Sequence, residues 1–458
     1  MSDWKVTKED VEEFERSGPR YTSYPTAAVW NDQINSTHVE EALSRIRKQD
    51  ALSLYLHLPF CEKLCHFCAC NKIIDKNHTQ DRIYLDALKK EIELTRKFMQ
   101  STPGIIQIHW GGGTPTFYSP NMLKELYECL VKYFPPERDA EISLEVNPVV
   151  TTADHVRTLR ALGFNRLSMG VQDFDPNVQD AINRFQTFEE TAELVRIGRE
   201  EGYASINVDL VYGLPRQTKK NFEKTMAEIV RLKPDRLAIY SYANVPWKNP
   251  FQRRFKDEEL PKGMEKIELY MMARDILTAE GYEAIGIDHF ALPGDELLTA
   301  RENKTLHRNF MGYTTHPEAF MLGMGVSAIS SFPNLYAQNT KTLESYFKSV
   351  AASQIPAVRG IELNQDDEFR RYVINQLMCN FEVTFEKVRN DFGIEWDSYF
   401  GPEILQGLRE LEKKQLLRID EQGIFIIGRG QVLTRNIAML FDKYLPETSG
   451  KPTYSSTI

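Results

Sequence analysis

The chain has 458 residues, 42% of them hydrophobic and 26% charged, with a formal net charge of −9. That length supports two or three domains and a core large enough to need no disulfide staples. The acidic balance, without a long Lys/Arg run, argues against a nucleic-acid binder, and no stretch approaches the roughly 18 apolar residues of a membrane span.

The opening "MSDWKVTKED" lacks the basic and apolar regions of a secretory signal. The expected compartment is therefore the cytoplasm, where thiols stay reduced. "SGPRYTSYPTA" (17–27) reads as an ordered but irregular stretch, and residues 1–36 are set apart as an N-terminal arm. From residue 37, short β-branched or apolar runs alternate with amphipathic stretches. Strands are expected at 52–58, 105–110, 141–146, 166–171, 206–211, 236–242 and 283–289, with helices at 81–99, 120–134 and 221–232 between them. The alternation predicts βαβ units around a parallel sheet: an α/β fold, an incomplete TIM-type barrel over 37–360. Polar motifs follow the strands directly: "HWGGGTPT", "EVNP", "GVQDF", "DLVYGLP" and "YANVP". In such folds the C-terminal strand ends carry the ligand site. Beyond 360, residues 366–392 read as helical and 403–445 as helix, hairpin, helix. This predicts a smaller, mostly helical C-terminal domain over 361–458. A winged-helix DNA binder has the same element order, but the acidic charge fits it poorly.

Four of the six cysteines crowd into "PFCEKLCHFCACNK" (59–72), at positions 61, 65, 68 and 70. Cys129 and Cys379 sit in apolar helical patterns and read as buried, inert thiols. Thiolates in one short loop suit either zinc or an iron–sulfur cluster. No second Cys/His pair at finger spacing follows, although His66 lies inside the loop. Three thiolates can also wrap one face of a cubane and leave one iron open. Spacing alone leaves both metals standing.

Other motifs carry a plain and a functional reading side by side. The glycines of "HWGGGTPT" (109–116) make a tight strand-to-helix turn, or bring backbone N–H groups close to a ligand. Glu145, ending a strand, is either solvated or a hydrogen-bond acceptor in a barrel mouth. Asp209 lies among apolar neighbours and needs a partner, either a structural Arg or a ligand. Gln172 and Arg184 read as ordinary surface residues without further context.

Cys-x3-Cys-x2-Cys after the first strand of a barrel resembles the signature of radical S-adenosylmethionine enzymes. The longer match is narrower: "GPRYTSYPTA", "YLHLPFCEKLCHFCACNK", "HWGGGTPT", "EVNP", "GFNRLSMGVQDF", "NVDLVYGLPRQT", "LHRNFMGYTT", "LGMGVSAIS" and "YAQN". Together they resemble the oxygen-independent coproporphyrinogen III oxidase family over nearly the whole chain. The resemblance implies that Cys61, Cys65 and Cys68 ligate a [4Fe–4S] cluster whose open iron chelates S-adenosylmethionine. Reductive cleavage of that cofactor then gives a 5′-deoxyadenosyl radical. It implies catalytic roles for Cys70 and Tyr55. Tyr55 and Ile329 go with a first S-adenosylmethionine, Gly112, Gly113 and Thr114 face methionyl groups, and Glu145 accepts from an amine or ribose. Phe67, Gln172, Arg184, Asp209 and Ala243 surround a second, making two per chain. The implied reaction converts two propionates of coproporphyrinogen III to vinyl groups, giving protoporphyrinogen IX. A reducing donor such as flavodoxin or ferredoxin and a monomeric state are also implied.

Four substrate carboxylates call for cations. Arg20, "QRRFK" (252–256) and "HRN" (307–309) are the candidates, since the Arg fork suits carboxylates. Three positions depart from the family pattern. Met311 stands where Gln is common, Asn244 where His is common, and Ser456 where a basic residue is common. A heme-binding chaperone of the same barrel is disfavoured by Cys70 and the arm. An anaerobic heme-degrading radical enzyme is the nearest catalytic rival.

Overall fold

The alternation in "ALSLYLHL" decides the first strand, Ala51–Leu58 (β1). Leu52, Leu54, Leu56 and Leu58 are fully buried on one face, so Ser53, Tyr55 and His57 take the other. Gly104–Gly112 (β2), Pro136–Val146 (β3), Arg166–Gln172 (β4), Ser205–Tyr212 (β5) and Arg236–Ser241 (β6) follow in parallel register. Between them run Asp81–Lys97 (α1), Pro120–Tyr133 (α2), Ala153–Ala161 (α3), Phe188–Glu200 (α4) and Lys219–Leu232 (α5). Each of α3, α4 and α5 starts at a Thr whose side chain accepts from the third helical N–H; α2 starts at Ser119 with Pro120 in its first turn. This computed structural model describes residues 4–316, 320–445 and 453–458.

The rest of the sheet is less regular. Glu283–Ile285 (β7) and His289–Ala291 (β8) form an antiparallel pair on β6. His307–Asn309 (β9) and Gly312–Thr314 (β10) make a separate hairpin. Phe320–Met324 (β11) lies parallel to β1, and Ile329–Phe332 (β12), Leu335–Asn339 (β13) and Ala357–Glu362 (β14) continue antiparallel. The order β14-β13-β12-β11-β1-β2-β3-β4-β5-β6-β8-β7 leaves the two ends unjoined, an incomplete barrel as the sequence predicts. Two details differ. Residues 283–289 do not form a seventh parallel strand, because Gly286 (φ +56°) turns the chain back. The second parallel neighbour of β1, beside β2, is β11, hidden in "FMLGM" by a glycine that leaves Ile329 room to cross.

The outer sheet face is apolar and packs on the helices. The inner face is polar: Ser53 Oγ donates to Gln107 (3.1 Å), Gln107 to Glu141 (2.9 Å), and Arg166 pairs with Glu141 (2.8 Å). Gln365–Asn380 (α6) begins the C-terminal region; Glu382–Thr384 joins the hairpin 417–419/423–426 in a three-stranded sheet. The strand at 382–384 breaks what the sequence reads as one helical stretch. Cys379 is fully buried, whereas Cys129 is half-buried on α2. The arm is tied to the tail by a bridge between Ser17 and Ser456. Arg435 donates to the carbonyls of Gly18 (2.6 Å), Pro19 (3.1 Å), Ser456 (3.3 Å) and Thr457 (3.3 Å). Among the described residues no helix is long and apolar enough to cross a membrane.

Candidate active site

The cysteine loop leaves β1 and is clasped by a two-residue parallel pair, Phe60–Cys61 with Ile73–Ile74. Its carbonyls and amides are then held from outside. The His66 N–H donates to Ile182 (2.9 Å), and Asn183 Nδ2 donates to the Leu64 carbonyl (2.8 Å). Lys72 Nζ and Asn249 Nδ2 both donate to the Cys68 carbonyl (2.9 and 3.0 Å). Buried Gln252 donates to the carbonyls of Phe67 (3.4 Å) and Ala243 (3.0 Å) and accepts from the Val245 N–H (2.6 Å). Asn249 and Gln252 escape a reading of the sequence, in which "QRRFK" draws notice only for its charge.

A cavity of about 340 Å³ opens above the strand ends. Cys61, Cys65, Cys68, Cys70 and Phe67 line one side; Gly112, Gly113, Thr114, Glu145, Gln172, Arg184 and Asp209 line the rest. Thr114 Oγ1 lies 3.4 Å from Cys61 Sγ. Gly112 takes φ +119°, and a Cβ there would strike the His57 ring at 2.7 Å. A Cβ on Gly113 would come within 2.4 Å of the Pro59 carbonyl. Only glycines let this turn close on the cysteine loop.

The donor set fits a [4Fe–4S] cluster. Thiolates for a single ion must converge on one point about 2.3 Å away, whereas thiolates for a cubane reach three different irons. Three thiols on one short loop beside an open cavity leave room for such a cubane and for a ligand on its remaining iron.

Beneath the cavity a neutral relay is set by burial. His57 Nε2 donates to the Asn71 carbonyl (2.8 Å), which leaves Nδ1 to accept from the Tyr55 hydroxyl (3.0 Å). Burial lowers the His57 pKa and raises that of Tyr55. Tyr55 also stacks on His109, whose Nδ1 meets Ser143 Oγ at 2.7 Å. Burial pushes Glu145 upward, but His109 and the Gly112 N–H (3.1 Å) hold its carboxyl below the usual range. Asp209 accepts from Ser168 (3.1 Å) and Asn207 (2.8 Å); burial and then the Glu145 charge raise it to about 6. Its direct partners are neutral, so the structural-Arg expectation does not hold and its charge faces the cavity.

Arg184 donates to the Gly170 carbonyl (2.6 Å) and to Gln186 (3.1 Å), beside the Cys65 thiol. Gln172 takes φ +70° at a bulge between β4 and β5, which swings its amide over Gly170. The neighbouring Cys70 lowers the Cys68 pKa, and Cys68 together with burial raises that of Cys70.

Tyr55, Ala243 and Ile329 are not in the cavity lining. Tyr55 lies a layer below, Ala243 is reached through Gln252, and Ile329 abuts Gly323, the residue paired with Tyr55. Met311 sits at the β9–β10 turn, Ser456 in the tail, and neither they nor Asn244 line the cavity. Arg253 and Arg254 are spent on Pro246 and His66.

Residues 55–229 match the Radical SAM superfamily model and residues 363–433 the HemN C-terminal domain model. Oxygen-independent coproporphyrinogen III oxidase from Pseudomonas aeruginosa is 44% identical over 439 residues, 95% of each chain. The protein of that name from Escherichia coli K12 is 42% identical over 456 residues, 100% of this chain and 99% of the relative. The chain belongs to the oxygen-independent coproporphyrinogen III oxidase family. The solved structure of coproporphyrinogen III oxidase from Escherichia coli, described as a radical SAM enzyme, superposes with a TM-score of 0.89 at 43% identity, covering 93% of this chain and 98% of that one. Membership of a radical S-adenosylmethionine family of oxidases brings a [4Fe–4S] cluster and S-adenosylmethionine as the cofactors.

Proposed function

We propose that the protein decarboxylates two propionates of coproporphyrinogen III to vinyl groups without oxygen, giving protoporphyrinogen IX for heme synthesis. Carrying this reading is one cavity that gathers the thiols of the cysteine loop with two inward carboxyls, Glu145 and Asp209, in a chain of this family. Cys61, Cys65 and Cys68 would hold the cluster, which together with S-adenosylmethionine would supply the radical chemistry for removing a propionate β-hydrogen, with CO2 leaving and one further electron passing to an external acceptor.

The protein's own residues bind, orient and keep the site dry. Glu145 and Asp209 draw the cationic methionyl amines and sulfoniums into the cavity. Gly112, Gly113 and Thr114 offer backbone and hydroxyl to the methionyl groups, and Arg184 and Gln172 fix the remaining polar edges. Tyr55 and His57 keep a neutral, hydrogen-bonded floor, and Cys70 stands at the lip of the loop beside Cys68. The cavity takes two S-adenosylmethionines, one consumed per vinyl group, with Phe67 and Ala243 at the second. A flavodoxin or ferredoxin supplies the electron to a monomeric, cytoplasmic enzyme, which works as an arm, a barrel to residue 360 and a C-terminal domain.

Anaerobic incubation with coproporphyrinogen III, S-adenosylmethionine and a reductant tests this, with mass analysis of the porphyrins and a methionine assay. Protoporphyrinogen IX with two methionines per product is expected. A single S-adenosylmethionine bound per cluster-loaded chain at equilibrium removes the second cofactor, and no vinyl product overturns the function.

A further inference from the structure

A second cavity, of about 410 Å³, lies between the arm, the β9–β10 hairpin and α6. Tyr21, Tyr24 and Phe310 give it aromatic walls, and Arg308 and Arg371 give it positive charge. Arg308 is 6% exposed. Its Nη1 reaches the Tyr313 hydroxyl at 3.3 Å and lies 3.9 Å from Asp288, while its Nε has no hydrogen-bond partner among the described residues. Asp288 is already engaged by His289 Nδ1 at 2.7 Å. A buried guanidinium with open donors is costly unless something charged completes it.

The position is built rather than incidental. Asn375 on α6 donates to the Arg308 carbonyl at 3.1 Å, fixing β9 against the C-terminal region. Arg371, one turn earlier on α6, is half-exposed and donates to the Pro333 carbonyl at 2.9 Å. His307, between them, is kept neutral by burial. A run of aromatic rings leads from the active-site cavity to Arg308. Tyr240 lines the active-site cavity and packs edge-on to His289 (5.8 Å); His289 packs edge-on to Tyr313 (4.9 Å), whose hydroxyl meets Arg308.

We infer that this second cavity takes propionate carboxylates of the tetrapyrrole other than the one reacting, with Arg308 as the inner anchor and Arg371 at the rim. Aromatic walls suit the pyrrole edge, and the planar Arg fork pairs with a carboxylate. The inference rests on the reading of the substrate as coproporphyrinogen III.

The test uses the cluster-loaded full chain, with coproporphyrin III, the unreactive aromatic form, and its tetramethyl ester as binding probes. Arg308→Gln should weaken coproporphyrin III binding by about tenfold or more, the scale of a lost charged hydrogen bond, and should raise KM more than it lowers kcat. Iron content and S-adenosylmethionine affinity should not change. Arg371→Gln should weaken binding several-fold and decides the matter alone if Arg308→Gln does not fold. The ester should bind all forms equally poorly. Unchanged coproporphyrin III affinity and KM in the folded variants, with normal turnover by the unmutated enzyme, overturns the inference and leaves the function intact. Failure of the unmutated enzyme to turn over coproporphyrinogen III overturns both.

Discussion

Two buried acids on opposite sides of β1 solve the same problem differently. Glu91, on α1, is 1% exposed and accepts from the Tyr346 hydroxyl (2.5 Å), the Gly325 N–H (2.7 Å) and Asn339 Nδ2 (2.8 Å). Its donors come from three separate segments, and burial still raises its pKa to about 7. Asp209, at the barrel mouth, has only Ser168 and Asn207 as hydrogen-bond partners among the described residues, and its open side is the cavity. The first corner is complete within the protein. At the mouth the Asp209 carboxyl is left open toward the cavity, and that difference separates scaffold from site.

The sharpest break of this comparison comes at the cysteines. Cys61→Ala, Cys65→Ala and Cys68→Ala should each abolish the cluster, since three thiolates leave no spare ligand. Iron analysis after anaerobic reconstitution checks this. Cys70→Ser should keep the iron and lose most of the turnover; iron loss equal to that of Cys61→Ala would make Cys70 a ligand.

Next comes Asp209→Ala, which should weaken S-adenosylmethionine binding by roughly 10- to 100-fold by removing a charged partner. For the unmutated protein, affinity should fall as pH drops through about 6, because protonation removes the charge the ligand needs. Glu91→Ala should instead strand buried donors and cost about 2–4 kcal/mol of stability, with little effect on cofactor affinity. If equilibrium binding responded equally to both substitutions, the distinction would fail.

A finer test is pH. The Glu91 pKa is raised in the folded state, from 4.5 to about 7. Its contribution to stability is therefore full below about pH 4.5 and is lost as pH rises through 7, by about 3 kcal/mol in all. Glu91→Gln should flatten the fall in urea midpoint between pH 5 and pH 8 relative to the unmutated protein. The smallest effect is expected at Met311, which lies at a hairpin turn outside the active-site cavity. Met311→Gln should change S-adenosylmethionine affinity by a few-fold at most, within the roughly tenfold that one hydrogen bond is worth.

The parallel strands β1–β6 were legible because each is a short β-branched or apolar run, and most end in a polar motif. β11 was not, since five residues, with Gly323 fourth, carry too short a pattern of their own; the closeness of Gly323 to Ile329 shows how its neighbour crosses it. The cavity-lining residues Cys61, Glu145 and Asp209 were legible from motif and position. Gln252 and Asn249 were not, because holding a carbonyl across a loop of distant sequence leaves no spacing to read. The free partner of Asp209 was open in the sequence and became decidable only with Ser168 and Asn207 in place.

The fastening of the arm to the tail sets an order of events during synthesis. Arg435 and the Ser17–Ser456 bridge hold the arm whose tyrosines wall the second cavity. At roughly 5–20 residues per second, about 20–90 s separate translation of the two bridged serines, positions 17 and 456. During that interval the arm has no tail segment to latch to. The second cavity, one wall of which the arm forms, is therefore completed only after the segment around residue 456 has been made.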